Sequence, residues 1–246
     1  MSELKIIAAI PARYQSTRLP GKLMADLGGM PVIRRTLENV KNMELFDEVV
    51  VVTDSDEIES VVEDLGTVMR SQKEHACGTD RIAEFATQFD ADIIFNVQGD
   101  EPFLGKDDIE RMIRKFYSDQ SQNIDVMSLR HPIKEKMDRN NPNYVKVVSD
   151  LDNYAMYFSR SNIPFRRKDT DTDTYRHIGI YAFRKDALVQ FANQPLSPLE
   201  SMEMIEALRI LEMGMKIKLL DAQQVTIGID TREDLNWANQ FIDKNQ

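Results

Sequence analysis

The sequence predicts an α/β protein with a mixed, mostly parallel sheet and helices on both faces, and three observations carry this prediction. Short β-branched runs alternate with amphipathic helical patterns in the first half of the chain. The runs "EVVVVT" and "DIIFNVQ" are almost continuously apolar, as expected for strands covered on both faces. From about Asn143, strand-like segments follow one another without helices between them, which indicates an antiparallel section.

The individual elements follow from the same patterns. Apolar runs bounded by polar residues predict strands at Lys5–Ile10, Glu48–Thr53, Val68–Arg70, Ile93–Gln98 and Val126–Leu129. Helical periodicity predicts helices at Pro31–Lys41, Asp56–Leu65, Asp80–Phe89 and Asp107–Tyr117. Later strand candidates are "YVKVVSD", "YAMYFSR", "RHIGIYAFR", "KIKLLDA" and "VTIGI". We predict one domain over residues 1–246, with 143–215 as a subregion.

Two helices in the second half are predicted from their first residues. Ser197 has the character of an N-cap, Pro198 fits the first helical position and Glu200 completes a capping box. We expect one helix to run from there through "LESMEMIEALRILEMG". A final helix is predicted from Thr231 to about Asp243.

Composition narrows the class of protein. The 246 residues include 31 basic and 41 acidic side chains, a formal net charge of −10, which argues against a surface built to hold nucleic acid. Cys77 is the single cysteine, so an intramolecular disulfide is impossible and a reducing cytoplasm is expected. The apolar run before Pro11 is too short for a signal peptide or a membrane span, so we expect no export and no membrane insertion.

A basic loop follows the first predicted strand. It contains Arg13, Arg18 and Lys22 without an acidic residue among them, and ligands of open α/β sheets bind outside the carboxyl ends of the strands. Guanidinium and ammonium groups together suit a polyphosphate, and Gly21 allows the backbone to approach it. Ser16 stands where a P-loop would have its first glycine, and no G-x-G-x-x-G occurs, so ATPase and dinucleotide-binding classes lose support. The alternative is three solvated surface charges.

Two carboxylates are predicted at the same sheet edge. Asp100 follows a strand in "NVQGDEPFL", and Asp230 follows another in "IGIDTREDL". Such oxygen ligands suit Mg²⁺, which takes one or two carboxylates together with substrate phosphates. For Asp100 the alternative is an acidic β-turn. For Asp230 it is an N-cap, with Glu233 as its capping-box partner.

The segment "KEHACGTDRIAE" is a candidate for holding a nucleoside. A helix begins near Thr79, and the free backbone donors of its first turn could bind a base edge or a ribose oxygen. The alternative is an ordinary helix capped by Thr79 or Asp80, with His75 as a surface residue.

The second half offers a candidate polar pocket for a hydroxylated acid. Arg160 lies in "YFSR", and alternation along "RHIGIY" directs His177 and Tyr181 to one sheet face. The alternatives are a core aromatic for Tyr181 and a satisfied polar group for His177.

The segment "LESMEMIEALRILEMG" has glutamates at 200, 203 and 206, and their spacing predicts a solvated helix face. Its apolar residues cover more than one narrow stripe of the helix, which predicts that part of the helix is buried against another subunit.

With these segments in hand, the chain closely resembles the 3-deoxy-manno-octulosonate (Kdo) cytidylyltransferases. The likeness runs through "IPARYQSTRLPGK", "CGTDR", "NVQGDEP", "VKVV", "YFSR", "RHIGIYAFR", "SPLESMEMIEALR" and "IDTREDL", nearly the full length. The resemblance implies a Rossmann-like nucleotidyltransferase fold, transfer of CMP from CTP to Kdo for lipopolysaccharide assembly, dependence on Mg²⁺ and a homodimer. It makes the 143–215 subregion the part for sugar-acid binding and dimerisation.

The resemblance also implies roles for individual residues. Arg13 and Lys22 would hold the triphosphate, with Arg18 supporting their loop, and Asp100 and Asp230 would bind Mg²⁺. The nucleoside would be bordered by the "CGTDR" segment: Cys77, Gly78, Thr79 and Arg81. The sugar acid would be surrounded by Gln98, Arg160, His177, Tyr181 and Glu206.

The chain departs from the family pattern at three places: Cys77, Ala207 and a short loop at 166–174. The sugar acid therefore stays open between Kdo, its 8-amino analogue and a sialic acid. A nucleotide-binding regulator without turnover is the alternative outside the enzymes, although a pair of metal carboxylates argues against it.

Overall fold

The structure is a computed structural model, which describes residues 4–16, 18–168, 170–224 and 228–245. The strands are β1 Ile6–Ala12, β2 Glu48–Thr53, β3 Thr67–Arg70, β4 Ile93–Asn96, β5 Val126–Pro132, β6 Lys146–Ser149, β7 Ala155–Ser159, β8 Tyr175–Arg184 and β9 Ile217–Asp221. The helices are α1 Val32–Asn42, α2 Asp56–Ser60, α3 Gly78–Ala83, α4 Lys106–Ser118, α5 Lys136–Arg139, α6 Lys185–Ala192, α7 Pro198–Glu203, α8 Glu206–Glu212 and α9 Arg232–Asn245. Two compact units result, Met1–Lys106 with Thr226–Gln246, and Asp107–Val225.

The first unit contains parallel strands in the order β3-β2-β1-β4. All of β1 and β4 is buried, which explains their continuous apolar runs. Because the strands are parallel, their carboxyl ends share one edge, where Ala12 pairs with Thr53 and the amide of Val97 donates to Ala9. The predicted parallel α/β arrangement is confirmed, and this edge carries the loop after β1.

The end of the chain belongs to this same unit. The Ile229 amide donates to the carbonyl of Asp100 at 2.9 Å, and the Asn239 side chain on α9 accepts from the Gly28 amide at 2.8 Å. Gly28 has a φ of 63°, and a Cβ there would meet Ile242 at 3.1 Å, so only glycine lets α9 pack so closely. These contacts place Asp230 beside the loop after β1.

The second unit is the mixed part of the fold. β5 pairs antiparallel with β8 and parallel with β9, while β6 pairs antiparallel with β7 and β8. The predicted antiparallel section is confirmed. The predicted subregion 143–215 lies entirely within this unit.

One predicted helix is two helices. The capping box of Ser197 and Glu200 is present and Pro198 begins α7, as predicted. The prediction of a continuous helix is wrong, because Met204 adopts a left-handed conformation with a φ of 54° and α8 begins again at Glu206. Hydrophobic periodicity alone does not reveal such a break.

The predicted solvated glutamate face is also wrong. Glu200 is 3% exposed and makes two hydrogen bonds, of 2.6 and 2.7 Å, with the buried Arg209. Glu203 accepts from the Ser159 hydroxyl at 2.6 Å. Buried carboxylates persist where cations or donors satisfy them, and sequence spacing does not show those partners.

Smaller differences concern boundaries. The helix predicted at Asp56–Leu65 ends at Ser60, and the one predicted from Asp80 begins at Gly78. Helices α5 and α6 were not predicted. The strand candidate "VTIGI" lies mostly outside the described residues, which omit 225–227. Within the described ranges, no helix has the length and apolar character needed to cross a membrane.

Candidate active site

A cavity opens at the carboxyl ends of β1 and β4 in the first unit. It is walled by three segments that are distant in sequence: the loop after β1, the start of α3 and the turn after β4. Its lining residues are Pro11, Ala12, Arg13, Gln15, Ser16, Lys22, Leu23, His75, Cys77, Gly78, Arg81, Gln98, Gly99 and Asp100. The predicted ligand position at this sheet edge therefore coincides with a concave surface.

Lys22 joins the two predicted metal carboxylates. Its ammonium makes a close ion pair with Asp100 Oδ2 and a second one with Asp230 Oδ1 at 3.0 Å. The lysine side chain is 13% exposed. Burial lowers the pKa of Lys22, but the negative charges of Asp100 and Asp230 outweigh burial and raise that pKa overall. The ammonium is therefore fully charged at neutral pH.

Asp230 is free of the capping role that its position suggested. The carboxylate of Asp234 accepts from the Thr231 hydroxyl at 2.9 Å, and the Asp234 amide donates to Thr231 Oγ1 at 3.2 Å. This reciprocal pair caps α9, so the capping alternative for Asp230 and Glu233 is wrong. Asp230 instead faces Lys22 and lies 3.2 Å from a guanidinium nitrogen of Arg18.

Two arginines of the cavity have unused donors. Arg13 is exposed at the cavity wall, and no carboxylate among the described residues pairs with it. Arg81 is 5% exposed and binds Asp54 at 2.9 Å through one nitrogen, while the other terminal nitrogen is buried without a hydrogen-bond partner in the described chain. Buried donors are normally satisfied, so this nitrogen indicates a missing acceptor such as a ligand oxygen.

The start of α3 forms the nucleoside side of the cavity. Cys77, rather than Thr79 or Asp80, is the N-cap, and its sulfur accepts from the Asp80 amide. A Cβ on Gly78 would lie 2.9 Å from the end of the Gln98 side chain and 3.1 Å from the Pro11 ring, so Gly78 allows these residues to approach closely. Thr79 does not line the cavity, because it is fully buried and accepts from Asn96 at 2.7 Å.

Sequence reasoning missed His75 as a cavity residue. It lines the wall, and its imidazole contacts Ser71 and Glu84. Gln15 and Ser16 were also missed as lining residues. Only their positions in the sequence could have indicated that His75, Gln15 and Ser16 line the cavity, since these residues lie in the segments that follow β1 and β3.

Two of the predicted sugar-acid residues, His177 and Tyr181, lie in the second unit within an aromatic cluster. The His177 ring is 4.9 Å from Phe158 and 5.3 Å from Tyr181, which is 2% exposed. Ser128 Oγ lies 2.8 Å from His177 Nε2 and donates to the Ile180 carbonyl at 2.7 Å, so the imidazole must be the donor to Ser128. Burial lowers the pKa of His177 from 6.5 to about 3. The ring is neutral, and its role at the sugar acid stays a prediction.

Arg160 is held by backbone carbonyls of the second unit. It donates to Glu203 at 2.8 Å, to Pro142 at 3.0 Å and to Met204 at 3.2 Å. The buried Lys146 fixes the same region, because its ammonium donates to the carbonyls of residues 141, 144 and 160. Lys146 was not singled out from the sequence, where a lysine inside "VKVV" gives no sign of complete burial.

The remaining two sugar-acid candidates are in different units. Gln98 lies in the first unit and lines the cavity. Glu206 begins α8 in the second unit and is half-buried. Ala207, where the family pattern differs, is completely buried.

The donor set fits Mg²⁺. Asp100 and Asp230 already share one cation, the Lys22 ammonium, so their oxygens converge on one point. Among the residues that the structure describes, no group of three or more metal-ligating His, Cys, Asp or Glu side chains occurs. Two carboxylates supplemented by phosphate oxygens and water are a usual magnesium environment.

Comparison with known proteins shows the class of protein to which this chain belongs. The chain matches the cytidylyltransferase family over residues 7–217. A solved structure of CMP:2-keto-3-deoxy-manno-octonic acid synthetase complexed with CTP superimposes with a TM-score of 0.91 at 34% identity, covering 98% of this chain and 100% of that one. A 4-diphosphocytidyl-2C-methyl-D-erythritol synthase from Anaerococcus prevotii, at 18% identity and a TM-score of 0.63, shares the fold. The fold and the family match therefore define a nucleotidyltransferase that belongs to the cytidylyltransferases.

Closer relatives define the subgroup. A 3-deoxy-manno-octulosonate cytidylyltransferase of Christiangramia forsetii is 50% identical over 98% of both chains. One of Flavobacterium johnsoniae is 50% identical over 97% of this chain and 99% of its own. The chain belongs to the 3-deoxy-manno-octulosonate cytidylyltransferase family.

Desolvation of the His177 imidazole leads to a pH prediction. In the unfolded chain His177 takes up a proton near its ordinary pKa of 6.5, whereas the folded protein resists protonation down to about 3. The contribution of His177 to stability is therefore complete above pH 6.5 and is lost as the pH falls toward 3. We expect the free energy of unfolding to fall less steeply between pH 6.5 and 4 in His177→Gln than in the wild type. Urea unfolding followed by circular dichroism measures both slopes.

His131→Gln is the control for that measurement, because burial also lowers the pKa of His131, which lies on the neighbouring strand β5. A smaller change of slope is expected there. Equal slopes for wild type and His177→Gln would contradict the prediction.

Proposed function

We propose that this protein transfers CMP from CTP to Kdo, forming CMP-Kdo and pyrophosphate. The observation that carries the proposal is the cavity of the first unit, where Arg13, Lys22 and Arg81 face the same space as Asp100. Cationic side chains suit a triphosphate, and a carboxylate beside them suits its metal ion. In a chain that is acidic overall, these cationic groups at one sheet edge support an anionic ligand there.

The reaction is a substitution at phosphorus. The anomeric hydroxyl oxygen of the sugar acid forms a bond to the α-phosphorus of CTP, and the bond to the bridging oxygen of pyrophosphate breaks. Pyrophosphate leaves with that electron pair, and the hydroxyl proton passes to solvent, since no side chain is assigned as a general base. Positioning and neutralisation of charge are the main requirements of such a step. Arg13 and Lys22 would stabilise the charge that develops on the leaving group.

Magnesium binding is part of the proposal. Asp100 and Asp230 would hold Mg²⁺, which supplies Lewis-acid stabilisation of phosphate charge. Lys22 now occupies the space between these carboxylates, so it and the metal would compete for the same oxygens. We expect Lys22 to turn toward the triphosphate when nucleotide and metal bind. Arg18 would keep its contact with Asp230 and support the loop.

The remaining site residues keep their proposed roles. Cys77, Gly78 and Arg81 would border the nucleoside, while Thr79 would act from the core by its bond to Asn96. The proposed sugar-acid residues are Gln98, Arg160, His177, Tyr181 and Glu206. For His177 and Tyr181 the buried ring cluster supports a role in shaping the pocket.

A panel assay tests the substrate. We expect pyrophosphate release from CTP and Mg²⁺ with Kdo as acceptor, and little release when UTP replaces CTP. The 8-amino analogue of Kdo and a sialic acid complete the panel, because either would be preferred if the fully buried Ala207 and the short loop at 166–174 reflect another acceptor. Absence of release with every acceptor would overturn the transferase proposal and favour a nucleotide-binding regulator.

The two carboxylates can be tested separately. We expect Asp100→Asn and Asp230→Asn each to reduce kcat by at least about 100-fold, since a neutral amide is a poor magnesium ligand. The melting temperature should change little for Asp230→Asn, because Thr231 and Asp234 cap α9. Pyrophosphate release and thermal unfolding measure the two effects.

The control is Asp243→Asn, the same chemical change at an exposed position of α9. Its turnover should equal that of the wild type. Normal turnover in Asp230→Asn with a lowered melting temperature would show that this residue is structural.

The cellular setting follows from the proposed reaction. CMP-Kdo is an activated sugar for lipopolysaccharide assembly, and CTP is a cytoplasmic substrate, so we propose that the protein acts in the cytoplasm. The single cysteine, Cys77, fits a reducing compartment.

We also propose a homodimer formed through the second unit. Four large apolar side chains from β7 to the residue after α7 are strongly exposed, with fractions of 64% for Met156, 87% for Phe165, 78% for Met202 and 70% for Met204. Isolated exposed apolar residues are ordinary, but a concentration within one segment is typical of a contact surface. A second copy of this chain is the occupant that the family resemblance implies.

Sedimentation equilibrium tests the dimer. We expect the wild type to have twice the mass of the chain and the double variant Phe165→Ser, Met202→Ser to shift toward the monomer. Tyr117→Ser is the control, because Tyr117 is an exposed apolar residue of the second unit that lies outside the 143–215 subregion. An unchanged mass in the double variant would exclude this surface as the interface.

A further inference from the structure

A buried carboxylate outside the predicted site organises one wall of the nucleotide cavity. Glu84 follows α3, and its side chain, 11% exposed, reaches back to the segment that leads into that helix. One oxygen accepts from the Gln72 amide at 3.2 Å, and the other accepts from the Ser71 hydroxyl at 2.6 Å. The second oxygen also lies 2.8 Å from His75 Nε2. One carboxylate thus ties three points of a short segment together.

These contacts fix the tautomer of His75. Burial raises the pKa of Glu84, but the Ser71, His75 and Gln72 hydrogen bonds outweigh burial and lower that pKa overall, so the group is a carboxylate at neutral pH. A carboxylate only accepts hydrogen bonds, hence Nε2 of the imidazole carries a proton. Ser71 donates its single hydroxyl hydrogen to Glu84 and lies 2.9 Å from the same Nε2, where it can only accept.

The other ring nitrogen is left for a ligand. In the neutral imidazole with a proton on Nε2, Nδ1 is a hydrogen-bond acceptor. Nδ1 has no hydrogen-bond partner within the described residues. The His75 side chain is 9% exposed and lines the cavity, so the cavity is the side from which a ligand can reach this nitrogen. The cavity wall therefore offers the acceptor Nδ1, and the contacts of Nε2 with Glu84 and Ser71 fix the orientation of the ring.

We propose that His75 is a specificity-determining residue that accepts a hydrogen bond from the amino group of the cytosine base, and that Glu84 and Ser71 are positioning residues for its ring. Cytosine carries an amino donor where uracil carries a carbonyl acceptor. An acceptor at Nδ1 would form a hydrogen bond with the amino group of cytosine and would be repelled by the carbonyl oxygen of uracil. This inference rests on the proposed function, because it concerns the base of the CTP substrate.

Paired substitutions of His75 separate the two nitrogens. The amide of His75→Gln can place a donor near the Nε2 position and keep the contact with Glu84, but it removes the acceptor at Nδ1. His75→Asn can place its oxygen near the Nδ1 position and loses the contact with Glu84. Isothermal titration with CTP and with UTP, each with Mg²⁺, gives the ratio of dissociation constants. We expect His75→Gln to lose about tenfold of the preference for CTP, the effect of one hydrogen bond, and His75→Asn to retain more of it.

Glu84→Gln tests the positioning role, with Glu63→Gln as the same change at an exposed residue of the first unit. Glu84→Gln should weaken CTP binding several-fold and reduce the CTP preference, whereas Glu63→Gln should change neither. The imidazole ¹⁵N shifts should show the proton of His75 on Nε2 in the wild type and a tautomer mixture in Glu84→Gln. If Glu84→Gln fails to fold, the His75 pair and the wild-type spectrum still decide the proposal.

The possible outcomes distinguish a failure of this inference from a failure of the proposed function. A wild type that binds CTP while His75→Gln keeps the full CTP preference would overturn the role of His75. A wild-type proton on Nδ1 would overturn the role of Glu84. A wild type that binds neither nucleotide would overturn the proposed function first, and this inference with it.

Discussion

The ion pairs of Lys22 with Asp100 and Asp230 are the interaction on which the site depends. They connect the loop after β1 with the turn after β4 and with Asp230, the second residue before α9, and Lys22 and Asp230 are 208 positions apart in the chain. Two carboxylates converging at one point repel each other unless a cation lies between them. The lysine provides that cation in the structure described here. Lys22 thus holds the two carboxylates together in the first unit.

This arrangement also explains how an acidic chain can bind a polyanion. The net charge of −10 is spread over 246 residues, whereas Arg13 and Arg81 retain donors at one cavity that Lys22 also lines. Close to the ligand, local charge and orientation matter more than the total, because water and salt screen distant charges. A lysine that moves from carboxylate to phosphate would exchange one set of partners for another, so that neither state leaves a buried charge unpaired.

The sequence was sufficient for the strands that are buried on both faces and for the place of the ligand. β2 was predicted to the residue, because its apolar run is bounded by polar residues, and the sheet-edge rule located the cavity. The break at Met204 was not predictable from periodicity, since a left-handed residue interrupts the backbone without changing the pattern of side chains. The burial of Glu200 depends on Arg209, a partner that only the folded chain brings into place.

The local interpretations of Asp230 and His75 fail for one physical reason. Each residue had a local explanation, as a cap or as a surface side chain, and local hydrogen bonds are all that a short stretch of sequence can suggest. In the fold, Thr231 and Asp234 satisfy the start of α9, and Glu84 satisfies one nitrogen of His75. Once another residue has taken over the structural role, the freed carboxylate or ring nitrogen is available for a ligand. A polar group whose local role is filled by a neighbour is therefore a stronger candidate for function than one that must also stabilise its own turn.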